Sequence, residues 1–230
     1  MLKRLFDIFV SGTVLLILSP ILTVVFILLK LTGEHEAFYL QDRVGYLGKI
    51  IQVTKFATML KNSPNIGSQD ITVRNDPRVL PVGKFLRKSK LNEVPQFWDV
   101  FIGKLSLVGW RPLMPQGFAE YSQDIQKKIV QVKPGLTGIG SLVFRDEEAI
   151  ITKAQSDGGD LRACYRDIIM PYKGALECWY VDHANFFTDV KILTATAIAV
   201  LSPNWRGYWQ WFPDLPRPES ELLRSSFASE

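Results

Sequence analysis

A run of 22 residues without a charge, from Ile8 to Leu29, limits what this chain can fold into more than any other feature. As one helix it is about 33 Å long, enough to cross a hydrocarbon core of about 30 Å. Lys3 and Arg4 precede it and Lys30 closes it. A cleaved signal peptide does not fit, because the run is too long and no small-residue cleavage site follows. Ser19-Pro20 divides the run in its middle. Proline removes one backbone hydrogen bond and clashes with the preceding turn. In lipid the freed carbonyl needs a partner, and the Ser19 hydroxyl can supply it. Each half is then about 15 Å long and reaches mid-bilayer. Positive charge at both ends assigns no sidedness. The residues alone leave two forms open: a kinked spanning helix, or a re-entrant helix–break–helix with both ends on the cytoplasmic face.

The rest reads as one cytosolic, helix-rich α/β (α+β) domain. We divide the 230 residues into a membrane anchor (1–30), a domain (31–201) and an aromatic, proline-rich tail (202–230). Ala37–Gln41 and Ile50–Lys55 are β-rich runs around a glycine-containing turn, the pattern of a hairpin. Lys61–Asp76 reads as a loop. Helices are expected at Lys84–Lys90, Asn92–Ile102, near Gly117–Val130, at Leu161–Val181 and at Thr188–Leu201. In the tail, three of six tryptophans fall within seven residues, Trp205–Trp211. Such aromatics favour a membrane or protein interface over a simple cap on the core.

Composition excludes several classes. The net charge of +4 suits anionic small molecules or a lipid surface. No groove-reading motif accompanies it, so nucleic acid is not an expected partner. Cys164 and Cys178 lack a CxxC pattern, which excludes a disulfide framework and fits a reducing cytosol. With only His35 and His183, a His-rich metal site is excluded.

Five strings then occur in order: QDRVG (41–45), KFATM (55–59), DPRVLPVGKFLRKSKLNEVPQ (76–96), SLVGWRP (106–112) and VKPGLTG (132–138). Together, and from the first membrane residues to about Leu201, the chain resembles the bacterial sugar transferase family, the monotopic polyprenol-phosphate phosphoglycosyl transferases. The resemblance implies transfer of a phosphosugar from a nucleotide diphosphosugar, expected to be a UDP-sugar, to polyprenol phosphate. That reaction starts a membrane-linked surface glycan at the cytoplasmic face of the bacterial inner membrane. The family's anchor is re-entrant and broken at a Ser-Pro pair, which Ser19-Pro20 matches. A homodimer is left open. A non-catalytic relative, binding nucleotide sugar or polyprenol phosphate as a partner or regulator, is the alternative function.

A diphosphosugar is an anion that cations must neutralise. The resemblance assigns Lys55, Arg87 and Arg111 to the nucleotide and phosphates, although each also reads plainly as a solvated surface charge. It implies magnesium, which takes a few carboxylate oxygens plus substrate phosphates. Where the family carries an adjacent Asp-Glu dyad, with Asp as nucleophile and Glu on the metal, this chain has Asn92-Glu93. A neutral amide is not a competent nucleophile. Asn92 precedes a helical apolar pattern and is expected to be an N-cap, where Asn and Asp are nearly equal. Glu93 is the expected metal ligand. Asp146, Glu147 and Glu148 are alternative carboxylates, with the plain reading of an acidic first helical turn. Attack by Glu93 itself and direct transfer also stand open.

Overall fold

The structure, a computed structural model, describes residues 1–63, 77–147, 150, 161–202 and 204–227. Most of the loop expected at Lys61–Asp76 lies outside these residues, as does Glu148.

The amino-terminal run forms α1 (Leu2–Leu31), one continuous helix with Pro20 inside it. No break interrupts it. Proline at position 20 strips a partner from the carbonyl four residues back, that of Leu16. The Ser19 hydroxyl donates to this Leu16 carbonyl at 2.8 Å. The helix middle is bare, with Leu16 76% and Val24 66% exposed.

Both ends of α1 are fastened to the rest of the chain. At the start, Asp7 is buried and accepts from the Ser106 hydroxyl (2.9 Å) and the Leu107 amide (3.1 Å). Arg4 donates to the carbonyls of Val100 and Phe101, both at 2.6 Å. Lys3 pairs with Asp189 and donates to Tyr180 Oη and the Val108 carbonyl. At the far end, Val25 and Leu29 are buried against Ala37, Phe56 and Leu86.

Strands β1 (Phe38–Val44) and β2 (Ile50–Phe56) form the expected antiparallel hairpin, in register Phe38↔Phe56 to Val44↔Ile50. Helix α2 (Pro81–Lys88) starts on a proline and ends near Lys90, whose φ of 60° turns the chain back. A 3-10 turn, Leu91–Glu93, then leads to α3 (Gln96–Phe101). The helix expected at Asn92–Ile102 is thus shorter, and Asn92 is not its N-cap. Pro95 holds that position, with no side-chain cap, and Asn92 lies inside the 3-10 turn.

Strand β3 (Ser106–Val108) pairs in parallel with β4 (Gly135–Thr137). Between them lie α4 (Pro115–Ala119) and α5 (Gln123–Ile129), where one helix near Gly117–Val130 was expected. Ser122 separates them by capping α5, its hydroxyl accepting from the Ile125 amide. Helix α6 (Ile139–Val143) follows β4. A short α7 (Leu161–Cys164) passes through a π-turn into α8 (Met170–His183), and Asn185 caps α9 (Phe186–Leu201).

The last segment ends in α10 (Tyr208–Trp211) and α11 (Glu221–Phe227) and joins the main core. Tyr208, Phe212, Leu223 and Phe227 are buried, and Trp205, Trp209 and Trp211 pack half-buried against them. The tryptophan cluster therefore packs against the core and is half-buried rather than fully outward. Trp205 meets Trp211 edge-on at 5.5 Å, so the rings satisfy one another inside the fold. His183 stacks on Trp179 and lies 3.0 Å from Asp214, a surface role as expected. Cys164 is buried, Cys178 half-buried, and both are free.

Candidate active site

Strands β1, β2 and β4, the 3-10 turn, α3 and the segment around Arg111 converge on one narrow cleft. Its polar lining is Arg43, Lys55, Glu93, Gln96 and Arg111, with Val53 and Leu136 as apolar walls. Each polar group has a structural reason for its place. Alternation along β2 puts Val53 and Lys55 on one face. Asp99 of α3 is fully buried and accepts from the Thr54 amide (2.7 Å) and hydroxyl (3.1 Å), which fixes β2 against α3. The 3-10 turn then presents Glu93 to Lys55.

The backbone beneath Arg111 is held by close approach of glycines. A Cβ on Gly109 would lie 2.6 Å from the Gly135 nitrogen and 2.3 Å from the Lys133 carbonyl oxygen. That contact locks the chain before Trp110-Arg111 onto the start of β4. Arg43 spans from β1, donating to the Pro112 carbonyl (2.9 Å) and to Gln41 Oε1 (2.6 Å). Trp110 is fully buried, its indole donating to the Val132 carbonyl at 3.0 Å.

Electrostatics inside the cleft are dominated by cations. Glu93 Oε1 lies 3.6 Å from Lys55 Nζ and 4.0 Å from an Arg111 nitrogen. Burial alone would raise the Glu93 pKa, but Lys55, Arg111 and Lys90 together hold it below the usual range. Lys55 is pushed down to about 8, chiefly by burial and also by Arg43 and Arg111, with Glu93 opposing. Behind Arg111, Glu177 of α8 is buried, and its Oε1 accepts from the Arg111 amide at 3.3 Å. Burial raises the Glu177 carboxyl to about 7, against the pull of that amide and of Lys173. A Cβ on Gly140 would stand 2.4 Å from Glu177 Oε1, so the first turn of α6 fits against this carboxylate only as glycine.

The structure brings Lys55, Glu93 and Arg111 together, with Asn92 next to Glu93, and leaves Arg87, Asp146 and Glu147 outside the cleft lining. Arg87 is half-buried in the last turn of α2 and does not line the cleft. Asp146 faces a separate cavity with Arg145, and pairs with Arg206 at 3.6 Å. Glu147 pairs with buried Lys173 at 2.8 Å. Asn92 is buried beside Glu93, and its Oδ1 has no hydrogen-bond partner. Sequence reasoning missed Arg43, Gln96 and Glu177. Arg43 sits inside the QDRVG string, and strand alternation from Val44 would have separated its face from that of Asp42. Glu177 gave no signal, since Lys173 and Glu177 at i, i+4 look like an exposed helix pair.

The fit to magnesium rests on the donor set. Among the described residues no group of three or more His, Cys, Asp or Glu is placed to hold a metal unaided. Magnesium does not need one, because one or two carboxylates plus substrate phosphates suffice. The Glu93 contacts to Lys55 and Arg111 run through Oε1. A single carboxylate, Glu93, beside cations that would hold the phosphates fits that donor set.

Residues 1–203 match the family model described as bacterial sugar transferase. The undecaprenyl-phosphate galactose phosphotransferase of Salmonella typhimurium is 31% identical over 87% of this chain and 40% of its own length. The UDP-glucose:undecaprenyl-phosphate glucose-1-phosphate transferase of Klebsiella pneumoniae is 40% identical, over 61% of this chain and 30% of its own. The exopolysaccharide production protein ExoY of Rhizobium meliloti is 27% identical over 87% of this chain and 85% of its own. The chain thus spans about 40% of the length of the first curated relatives it matches. The family model covers nearly the whole chain, from α1 through the cleft to the end of α9, and the chain belongs to the bacterial sugar transferase family.

Proposed function

We propose that this protein transfers a phosphosugar from a UDP-sugar to a polyprenol phosphate, on the pattern of undecaprenyl phosphate in the relatives' names, and so initiates a membrane-linked glycan. The observation that carries this reading is the cleft, where Arg43, Lys55 and Arg111 surround one carboxylate, Glu93. Three cations against one anion suit a donor diphosphate and an acceptor phosphate held side by side. Arg111 and Lys55 grip the donor phosphates, and Arg43 steadies the Pro112 backbone beside them. Glu93 orders the two cations and would be the residue that holds magnesium. Magnesium, when bound, neutralises charge on the diphosphate and on the departing nucleoside monophosphate.

The placement of α1 supports a site at one membrane face. Lys3, Arg4 and Asp7 at one end and Val25 and Leu29 at the other contact one folded domain. A helix that crossed the bilayer would put one of those ends on the far side. The exposed apolar middle, with Ser19 and Pro20, is then the part that lies in lipid, and the acceptor's phosphate meets the cleft at the cytoplasmic face. Asn92 favours the second reading, a relative that binds donor or acceptor without turnover. Release of uridine monophosphate that depends on polyprenol phosphate separates the two.

A further inference from the structure

We propose that the start of β1 is the acceptor's entry to the cleft: Phe38, Tyr39 and Leu40 take the polyprenyl chain from the lipid and bring its phosphate to Lys55. The inference rests on the transferase reading above and assigns the acceptor's end of that same cleft.

Strand β1 changes character along its length. Its first three residues, Phe38, Tyr39 and Leu40, are large, apolar in body and exposed. The next three, Gln41, Asp42 and Arg43, are polar. Successive strand residues point to opposite faces, so the start of β1 is apolar on both sides. A hairpin with one face on a core and the other in water alternates instead. An exposed apolar run of this kind marks a contact with something equally apolar.

The two faces show what that is. On one face, the Phe38 ring lies 5.8 Å from Phe26 of α1 and stacks at 5.4 Å on Phe56. Phe26 belongs to the exposed apolar stretch of α1, with Val24 and Ile27 beside it. The surface that α1 offers to lipid therefore continues onto the start of β1. On the other face, Tyr39 is paired in register with Lys55. Directly opposed residues share a face, with Cβ atoms about 5 Å apart. Lys55 lines the cleft, so Tyr39 stands at its rim beside that cation. An apolar path from the lipid ends on a positive charge. A long apolar chain closed by a phosphate is the molecule that fits it.

The same alternation orders the cleft. Tyr39, Gln41 and Arg43 share one face of β1, and Arg43 is about 14 Å along the strand from Tyr39. Arg43 donates to the Pro112 carbonyl, next to Arg111. Tyr39 with Lys55 is thus the lipid end, and Arg43 with Arg111 is the far end. The acceptor enters at the first, and the nucleotide extends toward the second. Lys55 carries three N–H donors and can face a phosphate of each substrate. Tyrosine suits the boundary, with a ring for the first isoprene units and a hydroxyl for water.

The test reads acceptor binding apart from turnover. The full chain in phosphatidylglycerol nanodiscs is titrated with undecaprenyl phosphate and followed by native mass spectrometry. Calorimetry with UDP and magnesium reads the donor end. Tyr39→Ala is expected to weaken undecaprenyl phosphate about tenfold and Tyr39→Phe to keep it. Tyr46→Ala, which removes an equally exposed tyrosine at the hairpin turn, is expected to change nothing. UDP affinity stays at the wild-type value in all three. Unchanged acceptor affinity in Tyr39→Ala, an equal loss in Tyr46→Ala, or a loss of UDP affinity in its place overturns the inference. Release of Tyr39→Ala from the nanodiscs also overturns it, since the patch would then be a general lipid contact. Turnover is read in the same nanodiscs with a panel of UDP-hexoses and UDP-N-acetylhexosamines. Acceptor binding that depends on Tyr39, with no turnover of any donor, contradicts the transferase reading and leaves the entry in place.

Discussion

The Glu177 carboxylate accepts a hydrogen bond from the backbone amide of Arg111 across 3.3 Å, from inside the core to the edge of the cleft. The arginine's main chain is therefore held by a group that never meets solvent. Glu177 lies on α8, and the first turn of α6 packs against it at Gly140. Arg111 owes its position to this buried acceptor as much as to the turn that carries it.

One prediction follows for pH. Burial raises Glu177 from 4.5 to about 7. Between those values the folded protein holds a proton that the unfolded chain releases, so stability falls as pH rises through the window. The full effect is about 3 kcal/mol. Glu177→Gln keeps an acceptor for the Arg111 amide and removes the titration. The wild-type melting temperature is expected to drop between pH 5 and pH 8, and that of Glu177→Gln to stay flatter. An equal drop in both would remove Glu177 as the source.

Arg111→Ala is expected to weaken UDP-sugar binding by about 1.5–3 kcal/mol, the range for a charge-assisted hydrogen bond. Calorimetry at fixed magnesium measures it. Equal affinity in the two proteins takes Arg111 out of the donor site.

Topology follows from the fastening of α1 at both ends. Leu2 and Leu31 are exposed at its two extremes. With Cys164 and Cys178 replaced by alanine, single cysteines at these two positions are expected to label from the cytoplasmic side only. Labelling of one from each side would make α1 a spanning helix.

Asn92→Asp is expected to cost stability. Asn92 is buried, caps no helix and leaves Oδ1 without a partner, so a carboxylate there would be a charge with no donor. The loss is about 1–3 kcal/mol, read from chemical unfolding in detergent. A stability within a few tenths of wild type would mean that the site solvates the new charge. The family resemblance adds that this variant, unlike the wild type, gains the carboxylate needed for a phosphosugar adduct, which intact mass would detect.

Local pattern carried much of this fold. Strand alternation and the Gly45–Gly48 turn located the hairpin, the Ser19-Pro20 pair foretold the hydroxyl on Leu16, and the apolar period located α9. What failed was decided by tertiary contact. Asn92 looked like a cap because apolar residues follow it, yet the left-handed Lys90 and Pro95 turned the chain into a 3-10 segment first. The tryptophans looked outward because prolines bracket them, yet the core had room for their rings. In the site, Lys55, Glu93 and Arg111 were legible because each sits in a short string with little freedom. Arg87, Asp146 and Glu147 matched in chemistry but do not line the cleft, which the sequence strings alone do not tell. Glu177 was invisible for the converse reason, since burial of a carboxylate is a property of its surroundings.

The central claim is turnover, and uridine monophosphate release measures it most directly. The full chain in nanodiscs receives the panel of UDP-sugars with magnesium, with and without undecaprenyl phosphate. We expect release that requires the acceptor and falls sharply in Arg111→Ala. Donor binding with no release under any of these conditions would contradict the account and leave a binding protein in place of an enzyme.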